Sequence, residues 1–222
     1  MNKKGFTLAE VLITLGIIGV VAALTLPTVI SHHNKKVVET RLAKFYSVMN
    51  QAIQRSIVDN DEPEHWITDR EILDGSDINY NKLYEKYIIP YLDGVSITDT
   101  SKRRIYSLKD GNAFSVNHGD LNPVWAYIVY GVNSDVLKDA TGDPRSEKLS
   151  GRKIFYFSFP KVATAKHTLE SPAIGIFPVG YEDFSNTNCA KPFPDDYREL
   201  MGCATVIMRN GWKIPDDYPI KF

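Results

Sequence analysis

The longest uninterrupted apolar pattern in the chain lies at its start. From Val11 to Val29 there is no charged residue. At 1.5 Å per residue a helix over this stretch is long enough to cross the hydrocarbon core of a bilayer. Its Val, Ile and Leu residues occupy every side, so the segment wants lipid or the middle of a bundle around it. After His32, His33, Lys35 and Lys36 the pattern changes. Val38, Leu42, Phe45, Met49, Ile53 and Ile57 recur at spacings of three and four, the signature of a helix with one buried stripe. Together the two patterns predict one helix of about 50 residues. Its second half should lie against a sheet, and Asp59 to Pro63 should end it.

The remainder is more broken. Asp59–Ser76 is polar, with Trp66 and Ile67 as its apolar anchor, and reads as a loop with short helical turns. Tyr80, Leu83, Tyr84, Tyr87 and Ile88 share a side of a second helix over Asn79–Ile89, stopped by Pro90. Arg104–Leu108 and Asn112–Val116 predict a hairpin about a two-residue Asp110-Gly111 turn. Trp125–Val132 and Lys153–Phe159 read as strands, with the polar stretch 133–150 between them. Residues 161–184 read as mostly loop, with a short strand near Ile174–Phe177. For the last section two readings stand. In the favoured one, Asp195 or Asp196 caps a helix carrying Tyr197, Leu200, Cys203 and Ile207, which Gly211 closes. In the other, Ala204–Met208 and Trp212–Ile214 form a hairpin about Asn210-Gly211. The fold class expected is α+β, a long N-terminal helix packed on an antiparallel sheet.

Glu10 is the exception in the opening pattern. A carboxylate at the margin of a membrane helix costs about 2–3 kcal/mol unless partnered. Alone it reads as an interfacial residue near the headgroups. Its neighbours are Lys3-Lys4-Gly5, then Phe6-Thr7-Leu8-Ala9-Glu10-Val11, then the apolar run. This segment resembles the N-terminus of the type IV pilin and type II secretion pseudopilin superfamily. The resemblance is strong over the first 60 residues and piecemeal beyond them. It implies a leader peptide over residues 1–5, cut between Gly5 and Phe6 by a prepilin peptidase that also N-methylates Phe6. Glu10 would then neutralise the amino group of Phe6 on a neighbouring subunit during assembly. The implied organisation is a transmembrane half-helix over 6–31, an amphipathic half over 32–58 and an exported pilin-like head over 59–222. Gly19 to Pro27 would be the part of the helix able to bend or extend on packing. The implied partners are other subunits, an inner-membrane assembly platform and membrane lipid. The N-terminus would stay cytoplasmic behind its lysines and the head would be exported. An ordinary signal peptide cut after Val21-Ala22-Ala23 is the competing reading. Glu10 interrupts it, and the apolar run continues to Ile30.

Charge and composition add limits. The formal net charge is −1, from 26 basic and 27 acidic residues, so no basic face argues for nucleic acid. Cys189 and Cys203 are the only cysteines. In an exported chain they suggest a disulfide, with two separate buried thiols as the alternative. No HExxH, Gly-x-Ser-x-Gly or phosphate-binding loop is present, and His65, His118 and His167 are scattered. The expectation is a structural subunit and no enzyme, with no cofactor. A minor tip subunit acting as adhesin or DNA-uptake receptor is the alternative function. Asp135, Asp139, Asp143 and Glu147 offer oxygen ligands of the kind calcium takes. The segment also resembles a loop of pilin-like proteins, but Gly131 and Lys153 stand where that pattern has acids, and no metal is expected.

Overall fold

The computed structural model describes residues 5, 7–66, 68–74, 77–118, 126–138, 140, 149–159, 175–178, 189 and 201–222. Helix α1 runs Leu8–Asn60 without interruption, two residues beyond the end expected from the pattern. Asp61 stops it by taking a left-handed conformation, φ 60°. The Trp66 indole N–H then donates to the Asn60 and Asp61 carbonyls at 3.0 and 3.1 Å, which closes the helix end. Two compact units are present, residues 1–37 and residues 38–221.

Within the second unit, Val38, Leu42, Phe45, Met49, Ala52, Ile53 and Ser56 are buried. The expected stripe therefore holds, except that Ile57 is half-buried and Ser56 takes the inward position. This stripe meets a six-stranded antiparallel meander. Its strands are β3 (Ser96–Asp99), β4 (Arg104–Ser107), β5 (Ala113–His118), β6 (Ala126–Gly131), β7 (Ile154–Phe159) and β8 (Phe177–Pro178), each paired with the next in order. Phe45 is the centre of the contact. Its ring lies 5.8, 4.5 and 5.3 Å from those of Phe114, Tyr130 and Phe157. Alternation sends the neighbouring residues to the opposite face. There Ile105, Ala113, Val129, Ile154 and Tyr156 pack with Leu137, Ala140 and Met201. Burial on both faces explains why Ile154–Phe157 reads as a continuous apolar run.

Several polar side chains of α1 serve as backbone clamps. Glu39 accepts from the Ile214 N–H at 2.9 Å, and Arg41 donates to the Val132 carbonyl. Asn50 accepts from the Ile176 N–H at 2.9 Å and donates to the Ile176 carbonyl at 3.4 Å, so it holds the approach to β8 as a neighbouring strand would.

The structure corrects the pattern in six places. The stretch expected to be a loop with short helical turns after α1 holds such a turn, α2 (Pro63–Trp66), but also a two-residue ladder of β1 (Leu73–Asp74) and β2 (Asp77–Ile78) that the pattern does not predict. The second helix is α3 (Tyr80–Tyr87), capped by Asn79, whose side chain accepts from the Lys82 N–H at 3.1 Å; Pro90 sits in the 3₁₀ turn Ile89–Tyr91. Strand β3 was not foreseen, because all four of its residues are exposed and show no alternation. The β4–β5 connection is longer than two residues: Leu108 N–H donates to the Asn112 carbonyl and Gly111 N–H to the Leu108 carbonyl, with Gly111 at φ 83°. A short helix, α4 (Ser134–Lys138), opens the polar stretch, with Asn133 Oδ1 accepting from Val136 N–H at 3.0 Å. The short strand near Ile174–Phe177 is instead Phe177–Pro178, with Pro at the sheet edge where no ladder donor is required.

At the end of the chain the helix reading holds over α5 (Cys203–Arg209), and the alternative hairpin is absent. Gly211 at φ 67° closes it. Gly211 N–H donates to Met208 O at 3.0 Å and Trp212 N–H to Ile207 O at 2.9 Å, a Schellman termination. The predicted caps Asp195 and Asp196 lie outside the described residues.

Candidate functional site

The Thr7–Glu10 segment opens α1 through its own side chains. Thr7 donates from both its N–H and its hydroxyl to Glu10 Oε2, each at 2.8 Å. Glu10 N–H returns a bond to Thr7 Oγ1 at 3.3 Å. This is a capping box, in which a Thr and a Glu three residues on satisfy each other's orphan backbone donors. The carboxylate also sits where the helix macrodipole favours negative charge. The pattern T-x-x-E was legible in the sequence, and reading Glu10 as an interfacial or intersubunit carboxylate missed it.

Beyond Glu10 the helix presents apolar side chains outward. Leu8, Leu12, Ile13, Ile18, Leu24 and Val29 are each more than half exposed. The helix is long and apolar enough to cross a membrane. Its hydroxyls are satisfied locally: Thr14 donates to the Glu10 and Val11 carbonyls at 3.0 Å, and Thr25 to the Val21 carbonyl at 2.9 Å. The helix passes through Gly19 and Pro27 unbroken. A Cβ at Gly16 or Gly19 would meet nothing within 4 Å. Gly5 is exposed, and Phe6 lies outside the described residues.

Residues 1–26 match the prokaryotic N-terminal methylation motif. Residues 28–222 match a family described as "Family of unknown function (DUF6613)". The chain belongs to this family. No curated protein and no solved structure matches the chain. The methylation motif, with the apolar helix behind it, marks a family member with a pilin- or pseudopilin-type processing segment and a membrane anchor.

In the family's matched region, Cys189 and Cys203 form a disulfide, with Cα atoms 4.5 Å apart. Cys203 opens α5, so the bridge ties that helix to a segment about 14 residues earlier. Of the four calcium candidates only Asp135 lies among the described residues. Asp135 is in α4 and pairs with Lys138 at 2.7 Å, whereas Asp139, Asp143 and Glu147 lie outside the described residues. At Gly131, where the related pattern has an acid, a Cβ would lie 2.7 Å from Leu137 Cγ. No group of three or more metal-type ligands occurs among the described residues.

The charge clusters of the head are likewise committed to structure. Lys86 Nζ reaches Asp69 Oδ2 and Glu71 Oε2, both at 2.6 Å, and the Tyr87 hydroxyl donates to Asp69 Oδ2 at 2.5 Å. Hydrogen bonds from Lys86 and Tyr87 hold the Asp69 carboxyl down at about 2. Burial and the Asp69 charge push the Tyr87 phenol up to about 12. Arg104 bridges Asp99 and Glu85 at 2.6 and 2.7 Å, and the Tyr106 hydroxyl donates to Glu85 at 2.9 Å. A cleft between α1 and the β4–β5 turn is lined by Lys44, Asp93, Lys109 and Asp110. Its charges neutralise each other, Lys44 with Asp110 at 2.8 Å and Lys109 with Asp93 at 3.0 Å. His65 is exposed, while His167 and the side chain of His118 lie outside the described residues.

Proposed function

We propose that the protein is a structural subunit of a type IV pilus-like or type II secretion pseudopilus filament. A prepilin peptidase removes residues 1–5 and N-methylates Phe6. The apolar half of α1 then holds the subunit in the inner membrane, with the head exported. An assembly platform passes it into a filament whose core is the packed N-terminal helices of neighbouring subunits. The observation that carries this reading is the match of residues 1–26 to the methylation motif, ending in a helix apolar on every side. Such a helix has no reason to be apolar all round unless lipid and then other helices surround it.

Glu10 has a double role in this reading. Within the chain it accepts both Thr7 bonds on Oε2. Its other oxygen faces a neighbour's Phe6 ammonium on assembly, which fixes the axial register of each incoming subunit. Gly19 to Pro27 is where the helix lengthens on packing, since Pro27 contributes no backbone donor there.

The test is incorporation into sheared or periplasmic filaments, followed by immunoblot of wild type and Gly5→Leu. Wild type should be found there, and Gly5→Leu should remain uncut in the membrane and be absent from filaments. Loss of surface fibres on deletion would assign a pilus, and loss of exported enzymes a pseudopilus. A wild-type chain never found in filaments would overturn the proposal.

A further inference from the structure

The last residues of the chain pass close to Cys203 of the disulfide. Residues 213–221 start at the end of α5 and return towards α1. Asn210 Nδ2 donates to the Lys213 carbonyl at 3.0 Å, and Ile214 N–H donates to Glu39 on α1 at 2.9 Å. Ile214 and Tyr218 are buried. The Tyr218 hydroxyl then donates to the Gly151 carbonyl at 2.5 Å. Burial pushes this phenol up, so it remains a donor through the neutral range.

Gly151 is the point where three elements converge. It adopts φ 71°, and its N–H donates to the Ile154 carbonyl at 2.8 Å, closing the turn into β7. A Cβ at this position would lie 2.2 Å from Ile220 Cδ1, 2.7 Å from Cys203 Sγ and 3.2 Å from the Tyr218 hydroxyl. The Cys203 sulfur, the Tyr218 hydroxyl and Ile220 therefore all pack close to the Gly151 turn. Cys203 is 1% exposed and Cys189 8%.

We propose that Pro215–Lys221 is a strap that shields the Cys189–Cys203 bridge, so that strap release and disulfide reduction are one coupled opening. Reduction by a dithiol requires a thiolate to approach a sulfur along the S–S axis. The S–S bond breaks as a mixed disulfide forms. The second thiol then resolves it, leaving the reagent as a cyclic disulfide and the chain with two electrons and two protons more. With the strap closed, packing around Cys203 blocks that approach. With the bridge open, α5 loses its tether, and the Cys203 thiol no longer has a fixed place against Gly151. The coupling is reciprocal, as linkage requires.

The experiment uses the full chain in detergent micelles with dithiothreitol under native conditions, quenched by alkylation and read by mass. Tyr218→Ala/Ile220→Ala should be reduced at least tenfold faster than wild type, with Tyr218→Phe between them. The reciprocal measurement is made on the wild-type chain and needs no variant to fold. After reduction, amide exchange of Ile214 and Tyr218 should accelerate at least tenfold. Equal reduction rates in wild type and a folded double variant, or unchanged exchange at both amides after reduction, would overturn the proposal.

Discussion

Changing Glu10 to Gln separates the two roles that a single carboxylate carries at the start of α1. A Gln side chain still offers an oxygen to the Thr7 N–H and hydroxyl, both 2.8 Å away in the native box, so the helix start is retained. Only the charge is lost. Thr7→Ala does the reverse: it keeps the carboxylate and removes the hydroxyl, at a cost of about 1 kcal/mol to the first turn. Under the assembly mechanism, Glu10→Gln leaves a neighbour's ammonium unpaired in an apolar setting, which costs about 3–5 kcal/mol. At about 1.4 kcal/mol per decade this is about two to three and a half orders of magnitude in each subunit's affinity for the filament. Thr7→Ala should lower incorporation by less than about tenfold on the same scale. Each variant is co-expressed with wild type, and the ratio of the two in sheared filaments is compared with the ratio in membranes by peptide mass spectrometry. Glu10→Gln should be depleted strongly and Thr7→Ala weakly. Equal depletion of both would reduce Glu10 to a capping residue. Incorporation of Glu10→Gln at the wild-type ratio would refute the charge-pair mechanism outright.

Further outcomes follow from the head. Phe45→Ala removes the ring that touches Phe114, Tyr130 and Phe157, and should lower unfolding stability by about 3–5 kcal/mol in denaturant titrations. Asp69 is held at about 2, below its ordinary 3.8, so its contribution is fully present above about pH 4 and is lost as pH falls towards 2. Asp69→Asn should therefore weaken the acid dependence of the melting temperature over that window. Gly211→Ala meets no steric obstacle but must adopt φ 67°, and should cost about 1–2 kcal/mol in the same titrations.

What the pattern revealed followed local physics. The apolar run, the buried stripe of α1, the helix over Tyr80–Tyr87 and the strands from Arg104 to Phe159 all carry strong periodicity or continuous apolar character. Gly211 announced the end of α5 because a left-handed cap favours glycine. Strand β3 was hidden because an exposed edge needs no alternation, and its only large apolar residue is Ile97. The end of α1 was legible in the polar stretch from Asp59 to Pro63, although nothing in the pattern singled out Asp61 as the residue at φ 60° that stops it. The clamps Glu39, Arg41 and Asn50 look like an ordinary polar helix face until the carbonyls and N–H groups they hold are placed 91 to 175 residues away. At the N-terminus the residues were legible but half their meaning was not. Glu10 stood out as a charge in an apolar run, while its pairing with Thr7 followed from a three-residue spacing.

The most direct test of the filament-subunit account is the mass of the N-terminal peptide of the mature chain, isolated from membranes and from filaments. The account predicts a peptide beginning at Phe6, with a methyl group on its amino nitrogen, in both fractions. A mature chain beginning at Leu24, or one retaining residues 1–5 wherever it is found, would contradict it.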